Sequence, residues 1–187
     1  MKRMITGQGV VDMEVSAEMR KPAAQKWIRV MEETMALLGG VLAVINPATF
    51  NAGITCVKAM SESDSIAKAE HFGDILETWT SPYTAISLMS NRDTPLHRDN
   101  GGGYSYMDML LSVSEYTHGE FHAPGLGKTY WYVPGTVIGI CGRVVRHGAA
   151  ASGERLCIAQ YLRSNVMRSL GIPNPEWVNV IDLASGE

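Results

Sequence analysis

The tripeptide His97-Arg98-Asp99 and the distant His147 are the residues whose types and spacing bear most directly on chemistry. In an extended segment alternate side chains share a face, so His97 and Asp99 point the same way, about 7 Å apart along the chain. A single ion fits between them. His147 follows an apolar strand-like run from Thr136 to Arg146, and a neighbouring strand of the same barrel would bring its imidazole alongside the first two. Two imidazoles and a carboxylate on one side of a metal leave the opposite positions open, the facial arrangement of non-haem Fe(II) oxygenases. HxD with a distant His is by itself a weak pattern, but two neighbours sharpen it here. Asn100-Gly-Gly-Gly103 follows directly, a loop where backbone can approach a ligand, and Arg155 stands eight positions after His147 at the head of another strand.

On that strand Arg155, Cys157, Ala159 and Tyr161 share one face. A guanidinium projecting among such neighbours is half buried and needs an anion. The distal carboxylate of 2-oxoglutarate is one candidate, and a structural ion pair with Glu154 or Asp108 is the other. His118 and His122 form a rival pair, four residues apart, but they do not fit a zincin, whose Glu follows the first His directly on a helix. Gly119 interrupts and Pro124-Gly125 follows, so both read as loop or strand-end histidines, and His71 stands alone. No nucleophile elbow, Walker loop or dinucleotide fingerprint is present.

The elements that must position these groups divide the chain by texture. Met1 to Val15 alternates weakly, as an arm or edge strand does. Ser16 reads as an N-cap with Glu18 in the first turn, and Ala24, Trp27, Ile28, Met31, Met35 and Leu38 recur at helical spacing until Gly39-Gly40 ends or bends the helix. A second helix is expected from Pro47, after Asn46, to about Met60. Ser61 to Glu70 is polar and reads as a surface connection, and the helices should cover a sheet. From Ser81-Pro82 the texture changes to short strands between turn residues: Thr84 to Met89, Tyr104 to Val113, Thr129 to Val133, Thr136 to Cys141 and Arg155 to Leu162. Their spacing predicts an antiparallel sandwich or barrel, closed by a short helix from Ser164 to Leu170.

At 187 residues the chain can bury a core without staples and is read as one domain: a helical support region over 1–80, a β core over 81–163 and a C-terminal helix and tail over 164–187. Cys56, Cys141 and Cys157 are an odd number without CxxC spacing, which favours an intracellular, reducing setting. No apolar run is long enough to span a membrane, and the N-terminus lacks the apolar core of a signal peptide. A net charge of −3 argues against non-specific wrapping of nucleic acid but leaves room for a local patch. Residues 91–163 carry seven basic side chains, six of them Arg, against six acids, and arginine's planar fork suits carboxylate and phosphate.

Several ordered blocks then resemble the fungal branch of the TET/JBP class of Fe(II)- and 2-oxoglutarate-dependent dioxygenases: Thr94-Pro-Leu-His-Arg-Asp-Asn100, Asp108-Met-Leu-Leu-Ser-Val113, Gly119-Glu-Phe121 with Pro124-Gly-Leu-Gly127, Tyr132-Val-Pro-Gly-Thr-Val137, and Gly142-Arg-Val-Val-Arg-His-Gly148 with Gly153-Glu-Arg155. The likeness runs roughly from Thr84 to Val178. It implies an α+β protein with a double-stranded β-helix (jelly-roll, cupin-like) core and N-terminal covering helices. It further implies His97, Asp99 and His147 as iron ligands, Arg155 gripping 2-oxoglutarate, Asn91 hydrogen-bonding co-substrate or substrate, and Asn100 within reach of a flipped base. Tyr83, Tyr104 and Trp131 are candidates to stack on that base.

The reaction so implied consumes 2-oxoglutarate and dioxygen and hydroxylates a methylated nucleobase in DNA, 5-methylcytosine in type. That substrate would place the protein in the nucleus. The same cofactors acting on N6-methyladenine, a nucleoside, a small molecule or a protein side chain are alternatives, as is a catalytically silent β-helix that binds a partner. The chain is short and acidic and has no DNA-binding insert or cysteine-rich zinc module, and its oligomeric state is not legible.

Overall fold

The computed structural model describes residues 2–5, 11–63, 66 and 71–177. Most of the polar segment expected as a surface connection, residues 64–70, lies outside them apart from Ile66. The chain divides into two compact units, one of residues up to Thr84 together with those from Asn165, the other running from Ala85 to Ser164.

The first unit is helical with one hairpin. Strands β1 (Lys2–Ile5) and β2 (Val11–Glu14) pair antiparallel, Lys2 opposite Glu14. Helix α1 (Pro22–Val30) starts at its proline, later than the expected cap at Ser16, whose carbonyl and hydroxyl both accept from the Met19 N–H in a preceding turn. Helix α2 (Glu32–Ile45) follows after Met31 and runs straight through Gly39-Gly40, where an end or bend was expected. The reason is packing: a β-carbon on Gly39 would lie 3.0 Å from the Pro82 ring, so glycine lets the 80–84 segment lie against the helix. Helix α3 (Pro47–Glu62) begins as its sequence demands, with Pro47 in the first turn and Asn46 Oδ1 accepting the Thr49 N–H at 2.9 Å.

On α3, a β-carbon at Gly53 would overlap the Pro82 carbonyl. These approaches, with Trp79 Nε1 donating to the Tyr83 carbonyl, explain why residues 81–84 group with the helices and the β unit starts at Ala85. Helices α4 (Phe72–Glu77) and α5 (Ser164–Ser169) are short, six residues each. Cys56 is buried in α3, and burial pushes its thiol up to about 12, so it behaves as a small apolar group.

The second unit is two four-stranded antiparallel sheets. The first has the order β3 (Ala85–Ser90), β10 (Leu156–Tyr161), β5 (Asp108–Val113), β8 (Val137–Ile140). The second has the order β4 (Thr94–His97), β9 (His147–Gly153), β6 (Tyr116–Ala123), β7 (Lys128–Trp131). Apart from the β6–β7 pair, adjacent strands in each sheet are distant in the chain, as a jelly roll requires.

Phe121, Ala123, Tyr132, Ile140 and Ala149 form the apolar cluster between the sheets, with Leu110, Ile138 and Val145 packed on it. Three strands carried no signal in the sequence reading. β6 interleaves His118, Gly119 and His122 among its apolar residues, β4 is only four residues long, and β9 is Ala-rich where β-branched residues would be expected. In β9 smallness is the requirement, since a β-carbon at Gly148 would come within 2.7 Å of the Thr94 carbonyl of β4.

Candidate metal centre and co-substrate pocket

The pairing of β4 with β9 puts His97 directly opposite His147. Cross-strand neighbours have side chains within reach of one another, and here the imidazole centroids are 4.5 Å apart. Asp99 follows β4 and is fixed by its N–H, which donates to the Gly142 carbonyl at 3.0 Å. Its carboxylate then reaches both rings, Oδ1 at 3.4 Å from His97 Nε2 and Oδ2 at 3.7 Å from His147 Nε2. One donor atom from each of the three side chains lies within 4.8 Å of the others, a group able to hold a metal ion.

The tautomers suit that task. His97 Nδ1 sits 2.8 Å from the Pro95 carbonyl and His147 Nδ1 2.9 Å from the Val145 carbonyl. A carbonyl can only accept, so each Nδ1 carries the proton and each Nε2 keeps its lone pair toward Asp99. Phe121 stacks on the His147 ring at 5.6 Å and meets Tyr132 edge-on at 5.6 Å, which locks the buried imidazole into the inter-sheet core. His97 and Asp99 remain about 40% exposed, leaving one side of the group open. His118 and His122 do not join it. Both lie in β6, where His122 faces Glu120 at 3.5 Å and Thr129 Oγ1 at 3.3 Å.

The same cavity, about 250 Å³, is lined by His97, Asp99 and His147 and also by Arg155. Arg155 is 4% exposed and precedes β10. The ion pair with Glu154 or Asp108 does not form, and no carboxylate among the described residues pairs with it. Its Nε donates to Ser112 Oγ at 3.0 Å, its Nη1 to the Arg92 carbonyl at 3.4 Å, and its guanidinium lies 4.8 Å over the Tyr132 ring. Ser112 Oγ is 2.7 Å from the Tyr116 hydroxyl, which also bonds the Tyr132 carbonyl. Each hydroxyl has one proton, so Tyr116 gives its own to the carbonyl and receives that of Ser112, leaving Ser112 to accept from Arg155. A buried, fixed guanidinium without a counter-ion is a site for an anion. Ser112→Ala is expected to raise the KM for 2-oxoglutarate by about 10- to 100-fold, from loss of a hydrogen bond to a charged group, with metal affinity unchanged by calorimetry.

Asn91 lies outside the pocket lining. It takes a left-handed conformation (φ 48°), which Asn tolerates, and clamps Arg155 twice: its N–H donates to the Arg155 carbonyl and its Oδ1 accepts the Arg155 N–H, both at 2.8 Å. Asn91 thereby holds the backbone of Arg155 in place. Asn100 does line the pocket, with Oδ1 accepting from Arg143 Nη1 at 3.0 Å. Of the three aromatics considered for stacking, Tyr83 is fully buried in the helical unit. Trp131 is 71% exposed on edge strand β7, and Tyr104 is 63% exposed with the Arg143 guanidinium 5.1 Å from its ring centre.

Sequence alone gives no role to Ser112, Phe121, Tyr132 or Gly142, although all four stand inside the blocks that carry the resemblance, and it offers Asp108 only as an ion-pair partner for Arg155. Asp108 is 6% exposed, and burial first, then the negative charge of Asp99, raise its carboxyl to about 8, against a hydrogen bond from the Gly142 N–H. A cation beside Asp99 offsets the second cause. Burial also raises the Cys141 and Cys157 thiols, so neither is a ready thiolate.

Residues 13–164 match the family model of the TET/JBP oxygenase domain of the 2-oxoglutarate- and iron-dependent dioxygenase superfamily. The chain belongs to that family. TET/JBP domains are oxygenases that use Fe(II) and 2-oxoglutarate, and the His97, Asp99 and His147 set suits that iron. Among solved structures the chain is similar to NgTET1, described in complex with 5mC DNA, with a TM-score of 0.57 and 13% sequence identity over 92% of this chain. At that identity the likeness speaks for the TET fold with its jelly-roll core. This chain spans 62% of the length of that one. No curated protein matches it.

Proposed function

We propose that this TET/JBP oxygenase hydroxylates a methylated nucleobase in DNA, with His97, Asp99 and His147 holding the iron and Arg155 holding the distal carboxylate of 2-oxoglutarate. The observation that carries the cofactor assignment is the buried Arg155, unpaired with any carboxylate among the described residues and lining the same cavity as the three candidate ligands. Iron and 2-oxoglutarate bound there supply the oxidation, the keto acid leaving as succinate and carbon dioxide while one oxygen atom enters the substrate C–H bond. The protein's own part is placement. The two Nδ1 protons anchor the imidazoles, and the hydrogen-bonded chain from Tyr132 through Tyr116 and Ser112 aims Arg155. Tyr132, Leu110 and Ala159 give the cavity an apolar lining that keeps bulk water from the reacting C–H bond.

A base reaches such a cavity only by leaving the stack. Support for DNA comes from the family match, from the 5mC DNA complex of the fold neighbour, and from the Arg143–Tyr104 pair. A DNA substrate would place the protein in the nucleus. The test is incubation with Fe(II), 2-oxoglutarate and an oligonucleotide carrying 5-methylcytosine, following succinate and oxidised nucleosides by mass spectrometry. Both should form, and His97→Ala should reduce both to background. Succinate without any modified base in DNA would move the substrate elsewhere, to a nucleoside, small molecule or protein.

A further inference from the structure

The segment from Cys141 to Arg146 carries the chain from β8 in the first sheet to β9 in the second. It is closed on itself, because the Val144 and Val145 N–H groups both donate to the Cys141 carbonyl at 2.9 Å. Three of its other carbonyls accept from the neighbourhood of the metal group. Gly142 takes the Asp99 N–H at 3.0 Å, Val144 the Arg98 Nε–H at 2.9 Å and Val145 the His147 Nδ1–H at 2.9 Å. One turn therefore orients two of the three candidate iron ligands.

The HxD loop and this turn are also tied in the opposite sense. Arg143 reaches back from the turn, its Nη1 donating to Asn100 Oδ1 at 3.0 Å and more loosely to the Asp99 carbonyl at 3.5 Å. Tyr104 supports the guanidinium, its ring centre 5.1 Å away. Asp99 lies two residues past the end of β4, so no strand ladder fixes it. Its place depends on these ties. Strand alternation makes the middle residue of HxD available for one of them, since His97 and Asp99 face the cavity and Arg98 faces away from it.

Resting on the iron reading proposed above, we infer that Arg98 and Arg143 are positioning residues of the metal centre. They lock the HxD loop to the 141–146 turn and so set where the Asp99 carboxylate and the His147 imidazole point. This role has a sign that a plain charge does not share. A cation near a bound Fe(II) repels it, so removing either arginine would by charge alone tighten metal binding. Loss of a partner that orients a ligand weakens metal binding by about 10- to 100-fold. Arg98 is exposed and Arg143 only half-buried, so solvent screens the repulsion and orientation dominates.

The experiment measures Mn(II) and anaerobic Fe(II) affinity by calorimetry for wild type, Arg98→Met, Arg143→Met, Arg98→Lys and Arg146→Met, with circular dichroism as the check on folding. Arg98→Met and Arg143→Met should each bind metal about tenfold more weakly. Arg98→Lys keeps a donor for the Val144 carbonyl and should recover most of the loss. Arg146 is an exposed arginine of the same turn and tests charge alone, so Arg146→Met should bind metal as wild type does or slightly more tightly. With metal saturating, the KM for 2-oxoglutarate should be unchanged throughout, because the Arg155 contacts lie elsewhere. Wild-type or tighter affinity in both methionine variants overturns the clamp and leaves the iron site standing, as does an equal loss in Arg146→Met. A loss in one variant alone overturns the role of the other arginine. Wild type that binds no metal, indistinguishable from His97→Ala, overturns the proposed function and the clamp with it.

Discussion

Gly142→Ala is expected to empty the iron site while both sheets stay folded. A β-carbon at Gly142 would overlap Asp99 Oδ2 and come within 2.9 Å of Asp108 Oδ2, so a carboxylate has to move. Asp108 is packed in β5 and buried, whereas the Asp99 side chain is 41% exposed, so Asp99 is the one displaced. A site that loses its carboxylate loses more than the roughly 10- to 100-fold in affinity that an altered outer partner costs. Metal content after dialysis against Fe(II) or Mn(II), with circular dichroism as the check on folding, reads the effect. Gly125→Ala is the control, because nothing lies within 4 Å of the added atom and its backbone is not left-handed. Full metal loading in Gly142→Ala would mean that Asp99 is not a ligand.

The second large effect is expected at Arg155. Arg155→Gln leaves Ser112 with an amide near it but removes the positive charge facing the cavity, so the distal carboxylate of 2-oxoglutarate would be buried without a counter-ion. Truncating one partner of a buried charge pair costs about 2–5 kcal/mol, roughly 30- to several-thousand-fold in KM for 2-oxoglutarate. Metal affinity should be unchanged, which separates this variant from Gly142→Ala. A lysine should rescue poorly, because one ammonium cannot both satisfy Ser112 and present a planar fork to a carboxylate. An unchanged KM in Arg155→Gln would move the co-substrate to another part of the cavity.

Some of this was legible because it depends on local pattern. Alternation along a strand was enough to put Arg155, Cys157, Ala159 and Tyr161 on one face, and all four line the cavity. Pro47 after Asn46 marked a helix start because capping is a property of adjacent residues. The Gly39-Gly40 pair misled, since low helix propensity yielded to close packing against Pro82. β9 was missed for a related reason, its alanines and glycine being chosen for the room they leave β4 and not for strand propensity.

Residue types, their order and the spacing of HxD to the distant His and Arg determined the family and its cofactors, because those chemical groups are few and their order along the chain is specific. Only the tertiary structure decided how they meet. The register that sets His97 opposite His147 and the Gly142 turn that aims Asp99 depend on hydrogen bonds between segments far apart in sequence. So does the finding that no carboxylate among the described residues pairs with Arg155, which leaves its guanidinium facing the cavity open to an anion.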